Sequence, residues 1–258
     1  MKIDKIKKLP SGKYKIMLDN NSSIVTYDDV LIKNRLLFDK SIDSKKYEVI
    51  NTDTNYYNIY NKIIKMISNR MRSVKQITDY LISTELSKVE QDEILSKLKD
   101  IGLLDDVRFA KAYVSDRLYL SNNGPDKIKS ELLDLGISMD IVLNELSKID
   151  SNILYDKLKR IISNKVKNNH KHSNYMLKQK LLISLVNNGF SRDMIIDVFE
   201  SYVDNSSDII NSEFSKLYNK LSRKFEGNDL YRKIKEKLFQ KGFDSASING
   251  VIEKNKNF

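Results

Sequence analysis

Three segments of this chain carry one pattern at a fixed interval, and that interval limits the folds open to it. They are IKSELLDLGIS from Ile128, LLISLVNNGFS from Leu181 and IKEKLFQKGFD from Ile234. Each has an apolar residue, three positions, an apolar pair, two positions, then Gly and a large apolar residue. The glycines Gly136, Gly189 and Gly242 stand 53 residues apart. A fourth copy, ITDYLISTELS from Ile77, has Glu85 in the glycine place. Internal repetition on this scale marks a tandem array, in which each unit buries only part of its core alone.

Each unit has a readable local physics. A helix ends at Gly, which takes the left-handed C-cap conformation without steric cost. Ile137, Phe190 or Phe243 then turns back into the core. Ser138, Ser191 or Asp244 starts the next helix as its N-cap. A longer helix precedes each segment, so a unit holds three helices. Glu85 adopts the left-handed conformation less easily than Gly, so the first turn is predicted to differ, and SKVEQ adds one residue there.

The first fifty residues read differently. KYKIMLD, SSIVTYDDVLI and KKYEVI are short, partly alternating and broken by PSG and DNNSS, which suggests strands and turns. After about residue 54 the apolar residues fall three and four apart, as in Ile59, Ile63, Ile64 and Ile67. The expected architecture is mainly α. A small β-rich N-terminal module (residues 1–53) precedes four helical repeats, 54–104, 105–150, 151–204 and 205–258, in an elongated curved stack. Eight Gly and two Pro among 258 residues suit a helical chain of this kind.

The chain has a net charge of +10 and no cysteine. The first excludes nothing but favours a polyanionic partner, nucleic acid first. The second excludes disulfides and thiolate metal sites, and agrees with a reducing cytoplasm. Charge is uneven: residues 1–50 hold 11 basic against 7 acidic side chains, whereas 105–150 hold 6 against 9. The N-terminus lacks an apolar signal segment, and no apolar run is long enough to span a bilayer.

The candidate chemistry is sparse. Asp105 and Asp106 form an acid pair in GLLDDVRFAKAYVSDR, but they stand where a helix begins. Phe109, Ala110, Tyr113 and Val114 then form one apolar stripe, so the acids read as caps rather than as a metal or acid–base pair. His170 and His172, the two histidines, lack the further ligands a zinc site needs. No phosphate loop, catalytic triad or cysteine nucleophile is present. The cationic candidates are Arg70, Arg72 and Lys75 in NRMRSVKQ, where Ser73 can cap a helix, Arg108 and Arg117 beside the acid pair, and Arg232, Lys233 and Lys237 in YRKIKEKLFQK.

MRS at 71–73, LLDDVRFAKAYVSDR at 103–117 and GPDKIKSELLDLGIS at 124–138 resemble, in order, the signature of the RecX family, regulators of the RecA recombinase. The resemblance runs over about residues 57–255 and is strongest over 70–150. It implies a non-enzymatic inhibitor that lies in the groove of the RecA–DNA filament and restrains its ATPase and strand exchange. It also implies binding to single- and double-stranded DNA, no cofactor, no metal, no membrane and a cytoplasmic location. A monomer is expected. The rival reading is a stand-alone nucleic-acid-binding helical repeat protein.

Overall fold

The computed structural model describes residues 1–201 and 206–256. The described chain is mainly helical, with one small antiparallel sheet at its N-terminus. It divides into two compact units: Met1–Phe109 with Leu135–Ile137, and Ala110–Asp134 with Ser138–Phe258.

Strands β1 (Ile3–Lys8), β2 (Tyr14–Leu18) and β3 (Ser23–Thr26) pair in the order β1-β2-β3. Alternation puts Ile16, Leu18 and Ile24 on the buried face, as the two-residue period of a strand requires. Against them pack Val30 and Leu31 of helix α1 (Asp28–Lys33), then Leu36, Ile42 and Ile50.

Of the segments expected to be strands, KKYEVI is helical, and SSIVTYDDVLI is strand in its first half and helix in its second. DDVLI forms α1, and KKYEVI opens α2 (Ser44–Asn69). The physical reason for the second lies upstream: Asp43 accepts the Lys46 N–H at 2.7 Å, an N-cap that commits the following residues to a helix. The expected boundary at 53/54 therefore falls inside α2. The first half of that helix gives Ile50 to the sheet's core, and its second half gives Ile63 and Ile67 to a second core. Asp53 locks the join. It is buried, and its two oxygens take Lys33 Nζ and Asn34 Nδ2, each at 2.7 Å.

Among the described residues, twelve helices then follow in threes. With α2 stand α3 (Val74–Ile82) and α4 (Lys88–Asp100). Next come α5 (Asp106–Leu120), α6 (Pro125–Asp134) and α7 (Met139–Ser147), then α8 (Ser151–Lys167), α9 (Asn174–Asn187) and α10 (Arg192–Glu200). The last three are α11 (Ser206–Leu221), α12 (Gly227–Gln240) and α13 (Ser245–Lys256). Gly136, Gly189 and Gly242 all have φ between +83° and +86°. The apolar residues after them, Ile137, Phe190 and Phe243, are buried.

The glycines do more than bend the chain. A Cβ on Gly136 would lie 2.6 Å from Lys75 Cβ, one on Gly189 only 2.2 Å from the Lys127 N, and one on Gly242 2.7 Å from Met176 Cβ. Each turn thus abuts the first residues of another helix: α3, α6 and α9 in order. Hydrogen bonds close each contact. Ser73 Oγ donates to Leu135 O at 2.7 Å. Gly124 N donates to Asn188 O at 2.6 Å and Asp126 N to Gly189 O at 3.1 Å. Ser173 donates from N to Lys241 O at 3.1 Å and from Oγ to Gly242 O at 2.6 Å. N–H and O–H donors at one helix start thereby meet carbonyls left open at another helix end.

The turn at Glu85 is built differently. The φ of Glu85 is not positive, and the turn from Ile82 to Lys88 is closed by local hydroxyls: Ser83 Oγ donates to Tyr80 O and Thr84 Oγ1 to Leu81 O, both at 2.6 Å.

Gly189→Ala should therefore cost more stability than Gly102→Ala. Both residues have positive φ, but a Cβ on Gly102 meets nothing within 4 Å. Conformational strain alone costs more than about 1 kcal/mol, and the main-chain clash adds to it. Urea unfolding of the two variants measures the difference.

Candidate nucleic-acid and partner interface

The start of α3 is built from four polar groups. Ser73, fully buried, accepts the Gln76 N–H at 3.2 Å, and Gln76 Oε1 accepts the Ser73 N–H at 3.2 Å. This reciprocal pair is a capping box. Val74 N–H is satisfied from farther away, by Asp106 Oδ1 at 2.9 Å. Asp105 caps its own helix instead, its Oδ1 accepting from Val107 N at 2.9 Å and Arg108 N at 3.0 Å. The two adjacent acids thus serve two different helices, and Phe109 behind them is buried.

This bonding decides what is exposed. The Asp106–Val74 bond sets residues 70–75 beside residues 105–108. Both carboxylates turn toward backbone N–H groups, while Arg70 and Arg108 stay exposed. Arg108 makes only a long bond, Nη1 to Gly102 O at 3.4 Å. Lys75 is exposed, with its stem against Gly136. Arg72 is half-buried, and its Nε is buried without a hydrogen-bond partner. Two helix N-termini add their positive dipole ends to these cations.

Arg117 lies in different surroundings. Its guanidinium sits 4.7 Å from the Tyr113 ring centre, Nη2 donates to Tyr113 Oη at 2.7 Å, and Nε lies 3.0 Å from Glu131 Oε2. The Nε–Glu131 contact is an ion pair without the alignment of a hydrogen bond. Tyr113 Oη donates in turn to Glu131 at 2.9 Å, and Asn123 Nδ2 donates to the other Glu131 oxygen. The hydroxyl of Tyr113 and the carboxylate of Glu131 hold the Arg117 guanidinium above its usual range.

In α12 the three candidates are spread around the helix, each near a local partner. Arg232 pairs with Asp229 at 3.1 Å and Lys233 with Glu236 at 2.9 Å, and Lys237 donates to Gln240 at 3.2 Å. Such exposed pairs are worth little and exchange readily for another anion.

Among the described residues no group of three or more His, Cys, Asp or Glu could hold a metal ion. His172 Nε2 lies 2.9 Å from Lys180 Nζ, and burial with Lys180 keeps the imidazole below its ordinary range. No described helix is long and apolar enough to cross a membrane.

One cation escapes sequence reading. Lys157 in α8 is 5% exposed and reaches two backbone carbonyls, Arg117 O at 2.9 Å and Asn123 O at 2.7 Å. It closes the C-terminal end of α5, where a cation meets unsatisfied carbonyls and the negative dipole end. Burial, with Arg160 nearby, pushes the ammonium down to about 8. Its spacing in LYDKLKRII looks like that of any surface lysine.

The fold and these surfaces define a class, a tandem three-helix-repeat protein that presents cations at helix starts. Comparison with known proteins gives the family. The family model for RecX, second three-helix domain, matches residues 105–143. The regulatory protein RecX of Streptococcus pyogenes serotype M5 (strain Manfredo) is 30% identical over 254 residues, covering 96% of this chain and 97% of its own. That of Listeria innocua serovar 6a is 28% identical over 249 residues, covering 95% and 92%. Among solved structures, a crystal structure of regulatory protein RecX matches with a TM-score of 0.60 and 25% identity, over 76% of this chain and 98% of that one. RecX from Lactobacillus salivarius matches with a TM-score of 0.52 and 26% identity, over 57% and 95%. This chain belongs to the RecX family of regulatory proteins.

Two measurements check the site. Asp105→Ala and Asp106→Ala should each lower stability by about 0.5–2 kcal/mol, the usual worth of a cap, and added divalent cations should shift neither midpoint. For Lys157 the folded-state pKa lies below the unfolded value of about 10.4, so the unfolded chain binds the extra proton. Stability from this group therefore rises as pH climbs from about 8 toward that value. Lys157→Met should lose that rise, read as the difference in urea midpoint between the two proteins at pH 7.5 and 10.

Proposed function

We propose that this protein regulates the RecA recombinase without chemistry of its own. It binds the filament that RecA forms on DNA and restrains ATP hydrolysis and strand exchange. The observation that carries the reading is the helix-start cluster. Asp105 and Asp106 accept hydrogen bonds from backbone N–H groups, and Arg70, Lys75 and Arg108 are exposed beside them with Arg72 half-buried. Such a surface suits phosphate or an acidic protein face. Arg232, Lys233 and Lys237 are a second contact region in this reading. Arg117, tied to Glu131, acts through the fold of its own repeat. Residues 54–104, 105–150, 151–204 and 205–258 are the repeating units, and the protein works as a cytoplasmic monomer.

The test is RecA's ATP hydrolysis on single-stranded DNA, with RecA in excess over DNA sites. Inhibition well below one molecule per RecA is the expected result. The double variant Arg70→Glu/Arg108→Glu, at two exposed positions, should need at least tenfold more protein for the same inhibition. Inhibition only after the DNA is coated would instead support a stand-alone nucleic-acid binder.

A further inference from the structure

The outer face of the N-terminal sheet carries an arrangement that the helical repeats do not explain. Its paired positions are Lys5 opposite Met17, Lys7 opposite Lys15, Lys15 opposite Val25, and Met17 opposite Ser23. Directly opposed residues in an antiparallel pair share a face, and Ile6, Ile16 and Ile24 lie on the other, buried one. Three lysines therefore share one open face with Met17 and Val25, which are 40% and 41% exposed. No carboxylate occupies a paired position there; Asp4 falls at the irregularity between Ile3 and Lys5.

Like charges directly opposite one another destabilise a sheet, and Lys7 faces Lys15. Among the described residues none of the three lysines makes an ion pair or a side-chain hydrogen bond. Neighbouring lysines do find partners: Lys8 lies over the Tyr14 ring, and Lys13 over Tyr27 while donating to Asn58 at 2.9 Å. The three on the outer face are thus an unneutralised cationic grid. Lys5 and Lys7, two residues apart, are about 6.6–6.8 Å apart along the strand.

We propose that this face is a binding surface for the phosphodiester backbone of single-stranded nucleic acid. Lysines act as point charges on phosphate, and a regular grid of them suits a regularly charged chain better than the mixed side chains of an acidic protein. Met17 and Val25 supply apolar area for sugars and bases between the charges. The inference rests on the DNA-binding part of the function proposed above, and adds a site outside the helical repeats.

The experiment is the salt dependence of binding of the full chain to an oligo-dT, without RecA. The slope of log affinity against log salt is about −0.7 per phosphate contact on single strands. Lys5→Gln/Lys7→Gln/Lys15→Gln should flatten it by about 2, and Lys5→Arg/Lys7→Arg/Lys15→Arg should restore it. The thermal midpoint of the Gln variant should equal or exceed that of the parent, because repulsion is relieved. An unchanged slope in the Gln variant overturns the site while leaving DNA binding intact. Loss of binding to polyglutamate with the oligo-dT slope unchanged also overturns it, in favour of an acidic protein. Absence of oligo-dT binding by the unaltered chain removes the DNA-binding part of the functional reading, and this site with it.

Discussion

The close approach of a glycine turn to the start of another helix is the contact on which the repeats depend. At Gly189 a methyl group would stand 2.2 Å from a main-chain nitrogen, so nothing larger than hydrogen fits. That closeness lets Gly124 N reach Asn188 O at 2.6 Å. Helix ends normally leave N–H groups at one terminus and carbonyls at the other, and burying them unpaired is costly. Here one helix start supplies what another helix end lacks. The two serine-based contacts, at Ser73 and Ser173, add a hydroxyl to the same exchange. The Gly124–Pro125 contact has no hydroxyl, and Gly124 compensates by letting backbone meet backbone.

The same exchange shapes the electrostatics. A helix start attracts carboxylates, and α3 and α5 each take one, from Asp106 and Asp105. Acids engaged in this way face backbone N–H groups, while arginines two or three residues along the chain remain free to face outward. In the stretch DDVR, the two acids accept hydrogen bonds from backbone N–H groups while Arg108 stays exposed. Within residues 105–150, Glu131 pairs with Arg117 and Glu145 with Lys148.

Legibility in the sequence followed how local each determinant is. The glycine turns were readable because left-handed geometry and the following apolar plug lie within two residues of each other. The mainly helical class and the N-terminal sheet followed from periodicity. Of the two strand readings that became helix, DDVLI and KKYEVI, the second failed for a local reason too: a cap at Asp43 outweighed the β-branched and aromatic content after it. Determinants that join distant residues left no such trace. Nothing in the spacing of Asp106 points to Val74, or of Lys157 to Arg117 and Asn123. Glu85 is tolerated because its turn does not take the left-handed conformation that the three glycines adopt.

Helix α2 ties these levels together within the first unit. Its early residues, Ile50 and Asp53, belong to the sheet module, and its later ones, Ile63 and Ile67, to the first helical core, with Tyr57 packed against both. The sheet cannot swing freely when the helix that supports it is also a core element of the repeat. At 1.5 Å per residue, Ile50 and Arg70 are about 30 Å apart along the helix. The cationic sheet face and the cationic start of α3 are then held at a fixed separation. Each alone is a weak patch of exposed charge. In the proposed nucleic-acid reading, a polyanion long enough to engage both would make the second contact without a further loss of translational freedom. A short oligonucleotide or an isolated phosphate gains nothing from that linkage. The 26-residue helix thus fixes the spacing of two lysine- and arginine-bearing surfaces.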